Sequence, residues 1–429
     1  MRSSRAGGNR DTRWQGWVGG RGTALCLTFG VVFTAYLFSP AWWHEIGGDT
    51  KVFYAAGRVA ASGGDPYDVS QLNRMEDDLY NRGPSVPFGH APYGYPPVVT
   101  AVLTTASRLP EAGFYLLSLG ILMASGVGGL ELWLNLLQWP SRALPRLAFL
   151  ASAPMALDAF VGNPSAILLL ASAATAWLVA RGRPLIGGLA LSVLSLKPQV
   201  GLPLALAILL SAPLAAGGRR SAPRTALLAT AGFGLGAAAL AGIGLALQGP
   251  AASAHWTMTL TAFSAALGPG GRSSAFAQSG LAGLPSLLGP ALPLTAAVLV
   301  TAAVLAPLLV VALRPGRGVL DRPTVAPMAL AIAASLAVSP YLHLNDLVLG
   351  ACPALFIASQ RQDLLTRITL VIWTIGAPLR LVAFGLLGPG FSSGPASQAG
   401  AGVFLTGSML LSVAWVVATR PAGAPGEST

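Results

Sequence analysis

Residues 112–138 read AGFYLLSLGILMASGVGGLELWLNLLQ, and Glu131 is the only charged residue among them. A helix that crosses a bilayer needs roughly 20 consecutive apolar residues, so this stretch is long enough to span a membrane. Further apolar runs precede and follow it along most of the chain. The stretch therefore predicts an all-α, polytopic membrane protein.

The composition supports the same prediction. Of the 429 residues, 53% are hydrophobic and 10% charged, and the mean hydropathy is +0.64. Ordinary soluble domains carry about 25% charged residues, so this chain cannot cover a water-facing surface of its size. The net charge of +11 is spread in small groups between apolar runs, which is typical of the positive-inside rule and excludes a nucleic-acid footprint.

The apolar runs number thirteen, and their lengths differ. They cover 22–40, 95–109, 112–138, 143–158, 164–181, 184–196, 199–215, 225–247, 291–313, 325–338, 344–359, 367–388 and 400–419. The arginine groups fall on one side of the membrane only if one run before Arg142 does not cross. The run at 95–109 is short and flanked by prolines, which favours an interfacial or re-entrant helix. We therefore expect twelve spans, with thirteen as the alternative.

This topology divides the chain into a membrane domain and two short tails. Residues 1–21 form a basic cytoplasmic tail, 22–420 a single transmembrane domain, and 421–429 a second cytoplasmic tail. Large extracytoplasmic loops are predicted at 41–111 and 248–290. The first loop holds nearly half of the 15 acidic residues, so we expect the site for chemistry there.

The first loop begins with a predicted amphipathic helix at 47–62, GGDTKVFYAAGRVAAS. Asp49 lies at its start, where its carboxylate either caps the helix or acts as a base at the membrane surface. The following GGDPYD sequence predicts a glycine stop and a turn, which explains Asp65 and Asp68. Tyr67 fits either stacking on a sugar or anchoring at the interface.

These residues resemble a known family. The arrangement Asp49…Phe53…Ala55-Ala56…Gly63-Gly64-Asp65-Pro66-Tyr67, followed by Tyr95-Pro96-Pro97, is similar to the first outer loop of glycosyltransferase family 87. That family comprises polyprenyl-phosphate-mannose-dependent mannosyltransferases of the GT-C superfamily. Later similarities are Gly162-Asn163, where the family usually has Gly-Gln, then Leu196-Lys197-Pro198-Gln199, and Ser339-Pro340 followed by His343 and Asp346.

The resemblance implies a GT-C type bundle of about 12 helices with an extracytoplasmic active site under the first loop. Asp49 matches the catalytic aspartate, a general base that deprotonates an acceptor hydroxyl on a lipid or glycan. The implied donor is polyprenyl-phosphate-mannose, with inversion at the sugar. We expect no cofactor and no metal, since no acidic cluster resembles a metal cage. The expected location is a bacterial plasma membrane, with a role in building envelope glycolipids.

The candidate site residues fall into two further groups. The leaving phosphate needs fixed cations or hydrogen-bond donors, for which the candidates are Lys197, His343 and Arg272. Each also has a plainer interpretation: Lys197 snorkels to headgroups, Arg272 contacts headgroups, and His343 is a structural hydrogen-bonded residue. The candidate substrate-binding residues are Asp65, Tyr67, Tyr95, Asn163 and Gln199.

Two other classes of function fit the sequence. A transporter or flippase of a lipid or glycan precursor would also have a dozen spans, but it usually places ionisable residues at the membrane midplane. A noncatalytic scaffold for envelope assembly is the third possibility, and the missing Gln beside Gly162 keeps it open.

Overall fold

The computed structural model describes residues 21–37, 47–80, 93–139, 141–215, 222–266, 325–339, 342–360, 368–374, 406 and 408–419. Within these ranges every regular element is helical, as the sequence predicts. The α-helices are α1 (Arg21–Leu37), α2 (Gly48–Ala61), α3 (Val69–Tyr80), α4 (Pro97–Ala106), α5 (Glu111–Leu136), α6 (Ala143–Leu150), α7 (Ala153–Val161), α8 (Ser165–Ala180), α9 (Pro184–Leu191), α10 (Pro198–Ala215), α11 (Ala222–Ala266), α12 (Val325–Val338), α13 (Ala351–Gln360) and α14 (Ser408–Thr419). Two 3₁₀ helices cover Ser192–Leu196 and Leu344–Gly350.

Two of the described helices are long and apolar enough to cross a membrane. They are α5, at Glu111–Leu136, and the Ala222–Thr261 part of α11. Several predicted spans are divided instead: the run at 143–158 forms α6 and α7, and the run at 184–196 forms α9 and a 3₁₀ helix. The twelve-span bundle therefore stays a prediction.

Helix α11 changes direction inside its length. Gly249 has a φ of 82°, outside the helical region, and Pro250 follows it. A proline inside a helix removes one backbone hydrogen bond and favours such a kink. The chain then continues as helix to Ala266, so the described part of the predicted 248–290 loop is helical.

Helix α4 occupies the run that was predicted not to cross. It has ten residues, so it is about 15 Å long, half of a typical hydrocarbon core. Pro96 precedes its first residue, Pro97, and the helix packs against α2 and α11. These contacts place α4 beside the first-loop helix.

Glycines let two helices approach closely. A Cβ on Gly188 of α9 would lie 2.1 Å from the Ala229 carbonyl oxygen of α11. Reciprocally, a Cβ on Gly232 would lie 2.1 Å from the Leu185 carbonyl oxygen. Small residues at such crossings allow backbone contact, which is how helices associate in a membrane.

The buried residues form two separate clusters. The larger one includes residues from α1 to α14 and contains Trp133, which is fully buried. The smaller one lies among α2, α3, α4 and the start of α5 and is aromatic, with Phe53, Tyr67, Tyr93 and Phe114. Phe53 and Tyr93 meet edge to face at 6.5 Å between ring centroids, a favourable geometry. The first-loop helices therefore have a packed core of their own.

Substituting Gly188 with Ala tests the close crossing of α9 and α11. The new methyl group would overlap the Ala229 carbonyl, so we expect a loss of about 1–3 kcal/mol in stability. The measurement is the thermal unfolding midpoint in detergent. Gly234→Ala in α11 is the control, because its Cβ would meet nothing within 4 Å and alanine favours helix. Equal midpoints for the two variants would contradict the close approach.

Candidate active site

Asp49 lies at the start of α2, where the loop meets the membrane domain. The helix N-cap is Gly47, with a φ of 69°, and no side chain caps this end. The Gly47 amide donates to the Phe160 carbonyl at 2.7 Å, which ties the start of α2 to the end of α7. The interpretation of Asp49 as a helix cap is therefore wrong, because its carboxylate is directed elsewhere.

The carboxylate of Asp49 meets Asn163. The Asn163 side-chain Nδ2 donates to Asp49 Oδ2 at 2.5 Å. Helix α7 ends at Gly162 with a φ of 78°, and a Cβ there would lie 1.8 Å from Thr50 Oγ1. Glycine is thus required both by the backbone conformation and by the contact with α2. This close approach brings Asn163 within reach of Asp49.

Lys197 lies on the other side of Asn163 and is only 1% exposed. Its Nζ donates to Asn163 Oδ1 at 2.7 Å, to Ser165 Oγ at 3.3 Å and to Asp346 Oδ1 at 2.5 Å. An ammonium has three donors, and these contacts use all of them. The residue follows the first 3₁₀ helix and precedes α10, so the Lys-Pro turn carries it into the protein.

Asp346 completes the network from the second 3₁₀ helix. Its Oδ1 also accepts a hydrogen bond from Ser165, and its Oδ2 accepts from the His343 amide at 2.8 Å. Asp158 stabilises the neighbouring turn, because its Oδ2 accepts a hydrogen bond from the Ala166 amide at 3.1 Å. That bond satisfies one of the free amides at the start of α8 and holds the turn that carries Asn163.

Burial is the largest cause of the pKa shifts of Asp49, His343 and Tyr95, which lie outside the predicted membrane-spanning helices. Burial raises the pKa of Asp49 above its usual value, while Lys197 and the Asn163 hydrogen bond oppose that rise. Burial lowers the pKa of His343 below its usual value, although Asp346 acts in the opposite direction. Burial, helped by the Asp49 and Asp346 carboxylates, raises the pKa of Tyr95 well above its usual range. At neutral pH, Tyr95 is a hydroxyl donor and His343 an uncharged imidazole.

The other predicted residues lie at different distances from this network. The Tyr95 ring packs edge to face on Phe53 at 4.8 Å, on the Asp49 side of α2. Tyr67 is buried and its hydroxyl donates to the Tyr95 carbonyl at 2.9 Å. Gln199 lies in the first turn of α10, and its buried Oε1 has no hydrogen-bond partner among the described residues. Arg272 lies outside the residues that the structure describes.

Asp65 has a structural role in this structure. Its Oδ1 accepts from the Tyr67 amide at 3.0 Å, which is the expected turn contact. Its Oδ2 lies 2.5 Å from His255 Nδ1, on the kinked part of α11. Asp68 likewise accepts from the Ser70 amide at 2.8 Å, at the start of α3. The prediction that turn chemistry explains Asp65 and Asp68 is confirmed.

Two members of the network were not among the predicted site residues. Asp346 appears in the sequence analysis only as part of the Ser339-Pro340…His343 similarity, without a site role, and Ser165 does not appear there. The similarity around Ser339-Pro340 pointed to Asp346, whereas Ser165 has no local signal, since a serine at the start of a helix is common. In the described part of the chain, no group of three His, Cys, Asp or Glu side chains could hold a metal ion.

These features define a class of protein. A carboxylate with a raised pKa that accepts a side-chain hydrogen bond is suited to acid–base chemistry. Residues 93–340 match the model of glycosyltransferase family 87, which is more than half of the 429 residues. The chain therefore belongs to glycosyltransferase family 87 and is a glycosyltransferase. No curated protein and no solved structure matches it.

The matched region contains some of the site and not the rest. Tyr95, Asn163 and Lys197 lie within it, whereas Asp49 precedes it and Asp346 follows it. The two long apolar helices, together with the family, indicate a membrane protein.

Breaking the Lys197–Asp346 pair tests how the network is held together. Lys197→Met leaves the buried Asp346 carboxylate without its cation, so we expect a loss of about 3–5 kcal/mol in stability. The double variant Lys197→Met/Asp346→Leu removes both charges and should recover most of that loss. Thermal unfolding of the three proteins is the measurement.

The control for this pair is Arg146→Met, which breaks a partly exposed ion pair with Glu131. Such pairs contribute about 0–1 kcal/mol, so its unfolding midpoint should change little. A double variant as unstable as Lys197→Met would show that packing, and not charge, determines the effect.

Proposed function

We propose that this protein transfers a mannosyl residue from polyprenyl-phosphate-mannose to a hydroxyl of a lipid or glycan acceptor. The reaction takes place at the extracytoplasmic face of a bacterial plasma membrane, with both termini of the chain in the cytoplasm. The observation that carries the proposal is the Asn163–Asp49 hydrogen bond of 2.5 Å at the foot of the first loop. It places a carboxylate with a raised pKa beside the membrane domain of a family 87 glycosyltransferase.

Asp49 is the general base in this proposal. Its Oδ2 is occupied by Asn163, and Oδ1 has no hydrogen-bond partner among the described residues. Oδ1 takes the proton of the acceptor hydroxyl while the acceptor oxygen attacks the anomeric carbon. The bond from that carbon to the phosphate oxygen breaks, and polyprenyl phosphate leaves with the electron pair. Attack on a β-linked donor with inversion gives an α-mannoside.

Asn163 and Lys197 orient the base. An amide has one donor end and one acceptor end, and Lys197 occupies the acceptor end by donating to Oδ1. The NH₂ group must then face Asp49. This arrangement favours the ionised form of the carboxylate, because the hydrogen bond and the nearby ammonium both lower its pKa against burial.

The leaving phosphate needs positive charge or donors nearby. Lys197, His343 and Arg272 remain our candidates, and Lys197 and His343 would act on the phosphate in different ways. Lys197 donates its three hydrogen bonds to protein acceptors, so it has no donor left for the phosphate. Its positive charge would instead stabilise the phosphate by long-range electrostatic attraction. His343 is uncharged near neutral pH and can offer a ring N–H. Tyr95, Asn163 and Gln199 are the nearest candidates for sugar contacts, and Tyr67 and Asp65 support the loop.

The proposal is tested with labelled polyprenyl-phosphate-mannose and membranes that contain the endogenous acceptors. Asp49→Asn keeps the side-chain shape but removes the base, so we expect transfer to fall by about 10²–10⁴-fold. Asp78→Asn, on the exposed side of α3, is the matched control and should keep full activity. Full transfer by Asp49→Asn would exclude this base. Movement of the labelled lipid across liposomes without any transfer would favour a flippase.

The pH dependence of kcat/KM tests the environment of Asp49. Because the base acts when ionised and its pKa is raised, activity should fall on acidification at a pH above the usual carboxyl range. Asn163→Ala removes a hydrogen bond that lowers this pKa, so the acid limb should move to higher pH.

Asn163→Gln is the control for this shift, since glutamine keeps the amide and is usual in the family. It should restore the acid limb toward the wild-type position. An acid limb that stays unchanged in Asn163→Ala would show that Asp49 is not the titrating base.

A further inference from the structure

Residues 250–266 continue α11 beyond its kink and form its distal segment. The kink is at Gly249, whose φ of 82° and ψ of 171° are a combination that almost only glycine adopts. Within the distal segment, Ala252 and Trp256 pack against the aromatic cluster of the first-loop helices. The kink therefore lets a helix that begins in the membrane domain reach the first loop.

Trp256 binds the backbone next to Tyr95. Its indole Nε1 donates to the Gly94 carbonyl at 3.1 Å. That N–H is the single donor of the indole, and the Gly94 carbonyl belongs to the peptide bond that leads into Tyr95. Pro96 follows, and a residue before proline is restricted to extended conformations. The hydrogen bond and the proline together leave Tyr95 few backbone conformations.

His255 reaches the same turn by a second route. Its Nδ1 lies 2.5 Å from Asp65 Oδ2, and Asp65 Oδ1 accepts from the Tyr67 amide at 3.0 Å. The Tyr67 hydroxyl in turn donates to the Tyr95 carbonyl at 2.9 Å. The distal segment thus holds the successive carbonyls of Gly94 and Tyr95, one directly and the other through two residues of the first loop.

The Tyr95 side chain lies on the Asp49 face of α2. Its ring packs edge to face on Phe53, with 4.8 Å between the ring centroids. Phe53 is four positions after Asp49, and residues four apart share one face of a helix. Burial and the Asp49 carboxylate raise the pKa of the Tyr95 hydroxyl, so it stays protonated at neutral pH. Within the described part of the chain this hydroxyl makes no hydrogen bond, so its proton is available to a substrate.

We propose that Trp256 and His255 are positioning residues for the transfer reaction, which hold Tyr95 so that its hydroxyl donates a hydrogen bond to the substrate beside Asp49. The proposal rests on the proposed function. Both residues act at one remove, because each reaches the backbone of Tyr95 and not the reacting atoms. The alternative is a purely structural role in the packing of the first loop, and it predicts different behaviour when Tyr95 is changed.

The kinetic test uses the full chain in lipid nanodiscs, with labelled polyprenyl-phosphate-mannose and a lipid extract of the native membrane as acceptor. Tyr95→Phe removes the hydroxyl, so we expect kcat to fall about tenfold, the worth of one hydrogen bond. Trp256→Phe and His255→Ala should each lower kcat by no more than that. In the Tyr95→Phe background neither should lower it further, because a missing hydroxyl cannot be displaced. The same loss in both backgrounds would overturn the proposal in favour of the structural role.

Two variants of the distal segment complete this test. His255→Asn keeps a hydrogen-bond donor near the position of Nδ1, so it should recover most of the rate that His255→Ala loses. Met258→Ala is the matched control, since Met258 is 67% exposed in the same turn, and it should transfer at the wild-type rate. A His255→Asn variant as slow as His255→Ala would overturn the role of His255. Loss of rate only in proportion to a lower unfolding midpoint would overturn the role of both residues.

A spectroscopic test is independent of catalysis. With 3-fluorotyrosine incorporated at position 95, the ¹⁹F resonance should shift in Trp256→Phe and in His255→Ala, and stay in place in Met258→Ala. An unchanged resonance in the first two variants would overturn the positioning of Tyr95, whatever the rate of transfer. Shifted resonances with no transfer by the wild-type chain would instead fail the proposed function and leave the positioning of Tyr95 established.

Discussion

The burial of Lys197 is the constraint on which the site depends. An ammonium that is 1% exposed inside an apolar protein is stable only beside a counter-ion with its other hydrogen bonds made. Asp346 supplies the charge, and Ser165 and Asn163 supply the remaining acceptors. These four residues come from three segments that are far apart in the sequence: 163–165, Lys197 and Asp346. Satisfying one cation therefore determines where three parts of the membrane domain meet.

The network links the membrane domain to the first loop. Asn163 accepts from the buried cation with one atom and donates to Asp49 with another, so the position of Lys197 influences the orientation of a group on a different helix. Helix α2 of the first loop packs in an aromatic cluster that is separate from the larger core. This packing holds Asp49 in place beside Asn163. The apolar domain supplies Lys197, Asp346 and Asn163, and the first loop supplies Asp49, the proposed base.

The kink in α11 connects the two outer segments. Beyond Gly249, the helix brings His255 to Asp65 and Trp256 to the Gly94 carbonyl, with distances of 2.5 and 3.1 Å. Both contacts lie on the turns that flank the first-loop helices. The second predicted loop therefore begins as a helix that packs on the first loop, and Asp65 contacts both loops through Tyr67 and His255.

The sequence by itself determined the helical class, the apolar runs, the amphipathic helix α2 and the turns at Asp65 and Asp68. These features depend on local pattern, because hydrophobic periodicity, glycine stops and short acidic turns act over a few residues. The resemblance to the family, together with local pattern, identified Asp49, Asn163 and Lys197 as candidates. It did not assign the contact of Asp49, because its position at a helix start is compatible with both capping and acid–base chemistry.

Only the tertiary structure decided which of these residues meet. Asp49 and Asn163 are more than a hundred positions apart, as are Lys197 and Asp346, and no periodicity encodes such pairs. Asn163 reaches Asp49 because Thr50 and Gly162 approach closely, where a side chain on residue 162 would prevent contact. The physical reason is that hydrogen bonds and charge compensation act over a few ångströms in space, whereas sequence patterns report on neighbours along the chain.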